Sequence, residues 1–222
     1  MIRPLIATIL LALPLGAKED PDPARFAKDI DRFDTQDEKS SPEKGGIVFS
    51  GSSSIRLLDI PEVFPGLTAL NRGFGGSEIS DLNHYLERCL LRYEPSLVIF
   101  FCGTNDLWKK KSPDQVVEDF DEYTRRLFER CPDAKLVVLA IRPSPARKSI
   151  RKTEAEMNER FRKIAETDKR ITFVPGSWDR FLKNGKCIPE LFAKDRLHMS
   201  PAGYAIWKEL LTPFLPTPSK AD

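Results

Sequence analysis

Histidine is nearly absent. The 222-residue chain has two, His84 and His198, so any imidazole chemistry falls on one of two positions. Charge imbalance is missing as well. Lys plus Arg number 35 and Asp plus Glu 33, leaving a formal +2. No global field draws such a chain to nucleic acid. In the body of the sequence no apolar run reaches the roughly 18–20 residues of a bilayer span, which excludes a polytopic membrane protein. There is no short repeat and no sustained heptad, which excludes collagen, coiled-coil and solenoid architectures. The four cysteines (Cys89, Cys102, Cys131 and Cys187) include no Cys-x-x-Cys and match no zinc or redox spacing.

The first seventeen residues stand apart from the rest. Met1-Ile2-Arg3 is a short basic start, and Leu5 to Leu15 is apolar apart from Thr8 and Pro14. Gly16-Ala17 then offers small residues before Lys18-Glu19-Asp20. That order is the order of a signal peptide. The expectation is export to a periplasmic or secreted location, with residues 1–17 removed and no integral membrane span in the mature chain. Export permits disulfides. Cys102, inside an apolar run, reads instead as a buried free thiol, so two bridges are not expected.

Residues 18–45 form a polar lead-in. Phe26, Ile30 and Phe33 have helical spacing, which predicts a helix over Ala24 to Phe33. Five short apolar runs follow: Ile47 to Phe49, Leu67 to Leu70, Leu97 to Cys102, Leu136 to Ile141, and Ile171 to Val174. The third shows no alternation, as in a strand covered on both faces. Helix-period stripes lie between them: Ile79 to Leu90, Val116 to Phe128, and Met157 to Ala165. Ser200-Pro201 reads as an N-cap with proline at the first helical position, opening a last helix to about Leu211. Strands alternating with helices predict an α/β fold: three layers, α/β/α, around a five-stranded parallel sheet. The main domain is expected over 46–215, with 216–222 as a tail.

In such sheets ligands bind beyond the carboxyl ends of the strands. The polar clusters fall there. Gly51-Ser52-Ser53-Ser54 follows the first run, and Asn71-Arg72-Gly73-Phe74-Gly75-Gly76-Ser77 the second. Gly103-Thr104-Asn105-Asp106 follows the third, and Asp195-Arg196-Leu197-His198 precedes the last helix. A serine hydroxyl becomes a nucleophile when a base takes its proton. Asp195 lies three residues before His198, close enough to fix the imidazole tautomer and leave the other nitrogen as base. His84, mid-helix, reads as a surface or partly packed side chain. Ester hydrolysis also needs donors for the developing oxyanion. The Asn105 amide, the Gly76 N–H and the N–H of the attacking serine are the candidates. The glycine run 73–76 has a second reading, tight turns at positive φ. Which of Ser52, Ser53 and Ser54 attacks is open at this level.

These blocks, in this order, resemble the SGNH (GDSL-type) hydrolase superfamily. Val48-Phe49-Ser50-Gly51-Ser52-Ser53 is similar to its first block, with Ser52 where aspartate is usual. Asn71-x-Gly73-x-Gly75-Gly76 resembles the second, Gly103-Thr104-Asn105-Asp106 the third, and Asp195-Arg196-Leu197-His198 the fifth. The likeness runs from about residue 46 to 211. It implies a flavodoxin-like sheet, Ser53 as nucleophile, and Asp195 and His198 as its triad partners. It also implies an oxyanion hole made by Ser53, Gly76 and Asn105. The implied activity is carboxylic ester hydrolysis without metal or organic cofactor, on a small-molecule, polysaccharide or lipid ester. The Gly-Ser-Ser-Ser-Ile variant and the stretch Arg142 to Arg147 resemble a bacterial exported branch.

Three other readings compete. An α/β-hydrolase elbow needs glycine at position 55, which is Ile55. A catalytically inactive carbohydrate-binding or scaffold protein on the same fold leaves the reactive set unexplained. An acidic-polymer or nucleic-acid binder would use Lys109-Lys110-Lys111 and Arg147-Lys148 with Arg151-Lys152. Those runs alternate with acidic helices, so a solvated face is expected instead.

Overall fold

The computed structural model describes residues 18–216. The expected signal segment, 1–17, and most of the expected tail lie outside them. Among the described residues the main sheet has five strands: β1 (Ile47–Gly51), β2 (Ala69–Gly73), β3 (Leu97–Phe101), β4 (Lys135–Leu139) and β5 (Ile171–Val174). They form one parallel sheet in the order β2-β1-β3-β4-β5. The chain runs from β1 outward to β2, then returns to the other side of β1 to start β3. This reversal makes a crevice at the carboxyl ends of β1 and β3.

Among the described residues ten α-helical segments flank the sheet: α1 (Ala27–Ser40), α2 (Ser53–Arg56), α3 (Ile60–Val63), α4 (Ile79–His84), α5 (Leu86–Cys89), α6 (Thr104–Trp108), α7 (Pro113–Arg130), α8 (Arg151–Thr167), α9 (Gly176–Asp179) and α10 (Pro201–Leu211). Alternate strand residues feed two cores. Val48, Val98, Phe100, Leu136 and Val138 pack with α1, α4, α7 and α8. Phe49, Ile99, Phe101, Val137 and Leu139 pack beneath α10, around Trp207 and Leu211. A strand buried on both faces has no polar positions to alternate, which is why Leu97 to Phe101 reads as an unbroken apolar run. The three-layer α/β/α arrangement is thus the one expected.

Helix starts follow local chemistry. Ser112 and Gln115 form a capping box ahead of Pro113 in α7. The Ser200 hydroxyl accepts from the Gly203 N–H, with Pro201 at the first position of α10. Boundaries depart from the sequence reading in three places. The second strand is Ala69–Gly73 rather than Leu67 to Leu70. The stripe from Ile79 to Leu90 divides into α4 and α5 at Tyr85, whose hydroxyl donates to the Pro23 carbonyl (3.0 Å). The lead-in helix starts later and runs longer, because Asp22 caps a separate 3-10 turn at Pro23–Phe26. Ile30 and Phe33 of α1 are buried in the sheet's own core, so the lead-in packs as part of the main body. All four cysteines are free thiols.

A short hairpin, β6 (Leu182–Lys183) with β7 (Lys186–Cys187), was not expected. Its signal is Asn184-Gly185, both at positive φ (51° and 70°), the residue pair a two-residue hairpin turn prefers. The expected solvated face at Lys109 to Lys111 also needs correction. The Lys111 side chain is buried and pairs with Asp20 and Asp119, both at 2.5 Å. No helix among the described residues is long and apolar enough to cross a membrane.

Candidate active site

β1 ends at Gly51, where a Cβ would lie 2.1 Å from the Phe101 carbonyl oxygen of β3. Only glycine lets the two strand ends approach so closely. The chain then turns at once into α2, whose first residue is Ser53. Ser53 is half-buried at the crevice floor, while Ser52 and Ser54 on either side are buried. Of the three serines left open by the sequence, only Ser53 meets a base: its Oγ lies 2.9 Å from His198 Nε2.

The base comes from the turn before α10. His198 Nδ1 lies 2.5 Å from Asp195 Oδ2. The other carboxylate oxygen accepts from the backbone N–H groups of Leu197 and His198, each at 2.9 Å. Arg196 takes positive φ (60°) to close this turn. Burial of Asp195 works against its charge, but the Leu197 N–H, the imidazole and the His198 N–H outweigh it. They hold the carboxyl at about 2. Asp195 therefore accepts and His198 Nδ1 donates, which leaves Nε2 free to take a proton.

The three residues proposed as oxyanion donors are distinct in kind. Gly76 is the one glycine of the 73–76 run at positive φ (88°), and a Cβ there would meet nothing within 4 Å. Its side faces open space, and its N–H makes no hydrogen bond among the described residues. Gly73 and Gly75 are small for another reason. A Cβ on Gly73 would lie 2.4 Å from the Arg56 backbone nitrogen, and one on Gly75 would lie 2.6 Å from the Arg56 guanidinium. Asn105 is buried. Its Nδ2 donates to the Ser77 carbonyl (2.9 Å) and to Ser52 Oγ (3.1 Å). Ser52 Oγ also accepts from the Ser53 N–H (2.6 Å). The Ser52 hydroxyl thus gathers two N–H donors from the starts of α2 and α6, the helices that follow β1 and β3. His84 is exposed, its ring edge-on to that of Tyr85 (4.6 Å), and it takes no part in this cluster's hydrogen bonds.

The sequence reading missed the supports. Arg147 Nη2 donates to Asn105 Oδ1 (2.8 Å), its Nη1 reaches Thr104 Oγ1 (3.4 Å), and its guanidinium lies 5.4 Å from the exposed Trp108 ring. Arg142, fully buried after β4, donates to Ser54 Oγ (3.2 Å), and burial pushes it down to about 10. Tyr204 of α10 donates to the Ser54 carbonyl (2.9 Å). Thr104 donates to Glu154 (2.8 Å), whose burial pushes it up to about 7. The only signal for these contacts was the basic, proline-punctuated stretch from Arg142 to Arg147 beyond a strand end.

With this geometry in view, the comparisons with known proteins are direct. The model of the GDSL-like Lipase/Acylhydrolase family matches residues 58–206. The chain belongs to that family. The matched span includes Gly76, Asn105, Asp195 and His198 and begins just beyond the serine turn. No curated protein matches the chain in sequence. Among solved structures, a Streptococcus pneumonia protein assigned to platelet activating factor is 22% identical. The alignment covers 86% of this chain and 92% of that one, with a TM-score of 0.76. A GDSL-like lipase from Bacteroides thetaiotaomicron is 19% identical over 87% and 96%, with a TM-score of 0.69. An acetylxylan esterase from Geobacillus stearothermophilus, solved as a catalytic mutant, is 20% identical over 82% and 99%, with a TM-score of 0.59. At these identities the likeness is one of fold.

Proposed function

We propose that the protein is a serine esterase that cleaves carboxylic esters through an acyl-enzyme. The observation that carries this reading is the unbroken chain of contacts from Asp195 through His198 to Ser53. His198 Nε2 takes the Ser53 proton as Oγ attacks the ester carbonyl. Asp195 holds the imidazolium that results. The Ser53 and Gly76 N–H groups and the Asn105 amide bind the oxyanion. Turning to the oxyanion, the Asn105 amide and the Ser53 N–H each give up a hydrogen bond to Ser52 Oγ. His198 then gives its proton to the leaving alkoxide, and the ester C–O bond breaks. Water, deprotonated by the same nitrogen, attacks the acyl-enzyme and frees the acid. No step requires a metal or an organic cofactor.

The acyl group of a carbohydrate or lipid is the expected target. The fold neighbours include an acetylxylan esterase and a GDSL-like lipase, and residues 1–17 have the pattern of an export signal. We therefore place the mature enzyme in the periplasm or outside the cell. Hydrolysis of p-nitrophenyl acetate tests the reading. Ser53→Ala should abolish it, and an organophosphate should label Ser53 in the wild type but not in His198→Ala. Wild-type rates in Ser53→Ala would overturn it.

A further inference from the structure

Among the described residues the arginines fall into two populations. Most have a carboxylate oxygen within ion-pair distance. Among the described residues the exceptions are Arg56, Arg142, Arg147, Arg151 and Arg196, none of which has an ion-pair partner. Four of these five adjoin the reactive cluster. The Arg56 guanidinium lies against Gly75, next to Gly76. Arg142 donates to Ser54, beside the nucleophile. Arg147 donates to Asn105. Arg196 sits between Asp195 and Leu197, and its carbonyl accepts from the Ala146 N–H (3.1 Å), which ties its turn to the Arg147 loop.

The nearby carboxylates make no ion pair with these arginines and are engaged by other groups. Asp195 is held by His198 and two backbone N–H groups. Glu78 is buried against Lys109 and Arg25. Glu154 is buried against Thr104. Arg142 also keeps Nε and Nη1 without a hydrogen-bond partner, although the side chain is buried. Arginine is rarely buried unpaired. Unpaired cations of one sign around a cleft focus a field on whatever enters it, and guanidinium groups suit oxyanions in particular.

We propose that the ester taken by this site carries a negative charge, a carboxylate, phosphate or sulfate, beside the scissile bond. Arg56, Arg147 and Arg196 are the groups that receive it. The inference rests on the esterase reading above and adds the substrate's charge class. The charge has two possible sources, the acyl part or the alcohol part, and two matched substrate pairs separate them. The alcohol pair is 4-acetoxybenzoate against its neutral methyl ester. The acyl pair is the p-nitrophenyl monoester of adipate against p-nitrophenyl hexanoate.

In one pair the anionic member should show a kcat/KM at least about tenfold higher, mainly through KM. That preference should collapse toward parity near 1 M NaCl, where the Debye length is about 3 Å. Arg56→Gln and Arg196→Gln should each lower the ratio of anionic to neutral kcat/KM several-fold. A Ser53-dependent enzyme that favours the neutral member of both pairs, or whose preference ignores salt and both substitutions, overturns the charge inference alone. Hydrolysis that persists in Ser53→Ala, or no hydrolysis of any of the four esters, overturns the esterase reading and this inference with it.

Discussion

Asn105 has one carbonyl oxygen and one amide nitrogen, and Arg147 decides which way they face. A guanidinium can only donate, so the oxygen must point to Arg147 and the amide N–H groups toward Ser52 and Ser77. Arg147 is a positioning residue in this arrangement. Arg147→Ala should lower kcat on p-nitrophenyl acetate by roughly tenfold, and Asn105→Ala by about 10²–10³, the cost of one oxyanion donor. The double variant should be no slower than Asn105→Ala, because Arg147 has nothing left to orient. Additive losses in that cycle would mean that Arg147 acts by another route. Arg147→Lys restores a donor but not the planar fork, and should recover only part of kcat.

The elements around the site owe their placement to short signals at their ends. Ser200 caps α10 two residues after His198, and its hydroxyl also donates to the Glu190 carbonyl (2.6 Å). Ser200→Ala removes both contacts. It should cost about 1 kcal/mol, the usual price of a lost N-cap, read as a lower urea midpoint with unchanged m-value. β1 depends in the same way on Gly51. Gly51→Ala would drive a methyl group into the Phe101 carbonyl, so it should destabilise by several times more. A Gly51→Ala protein as stable as Ser200→Ala would show that the strand ends can part without cost. These elements were legible because caps and glycines act locally. The division at Tyr85 was not, since its hydroxyl answers to Pro23, far away in sequence.

Over the whole molecule, the crevice at β1 and β3 is underlain by buried acids. Asp106 is fully buried; burial pushes its carboxyl up to about 7, opposed by the Ile79 N–H and Lys111. A folded-state value above the unfolded one means that the native form binds the extra proton. Stability therefore falls as pH rises from about 4, the ordinary aspartate value, toward 7. Asp106→Asn keeps an acceptor for Ile79 and carries no charge. Its melting temperature relative to wild type should shift in the variant's favour between pH 5 and pH 8. A difference that stays constant across that range would show that Asp106 ionises freely in the native state.

The sequence by itself determined the layer architecture and the reactive blocks. Strand and helix periods are set by burial repeating every two or every three to four residues, and caps and glycine turns are written in neighbouring positions. It even carried the pairing of Asp195 with His198, which a three-residue turn makes local. The family resemblance pointed to Ser53; what the tertiary structure alone decided was convergence, that its hydroxyl meets His198 across 145 residues of chain and that Arg147 finds Asn105. Contacts of that length have no period and no propensity. They follow from the strand order, which brings the ends of β1, β3 and β4 and the approach to α10 to one edge of the sheet.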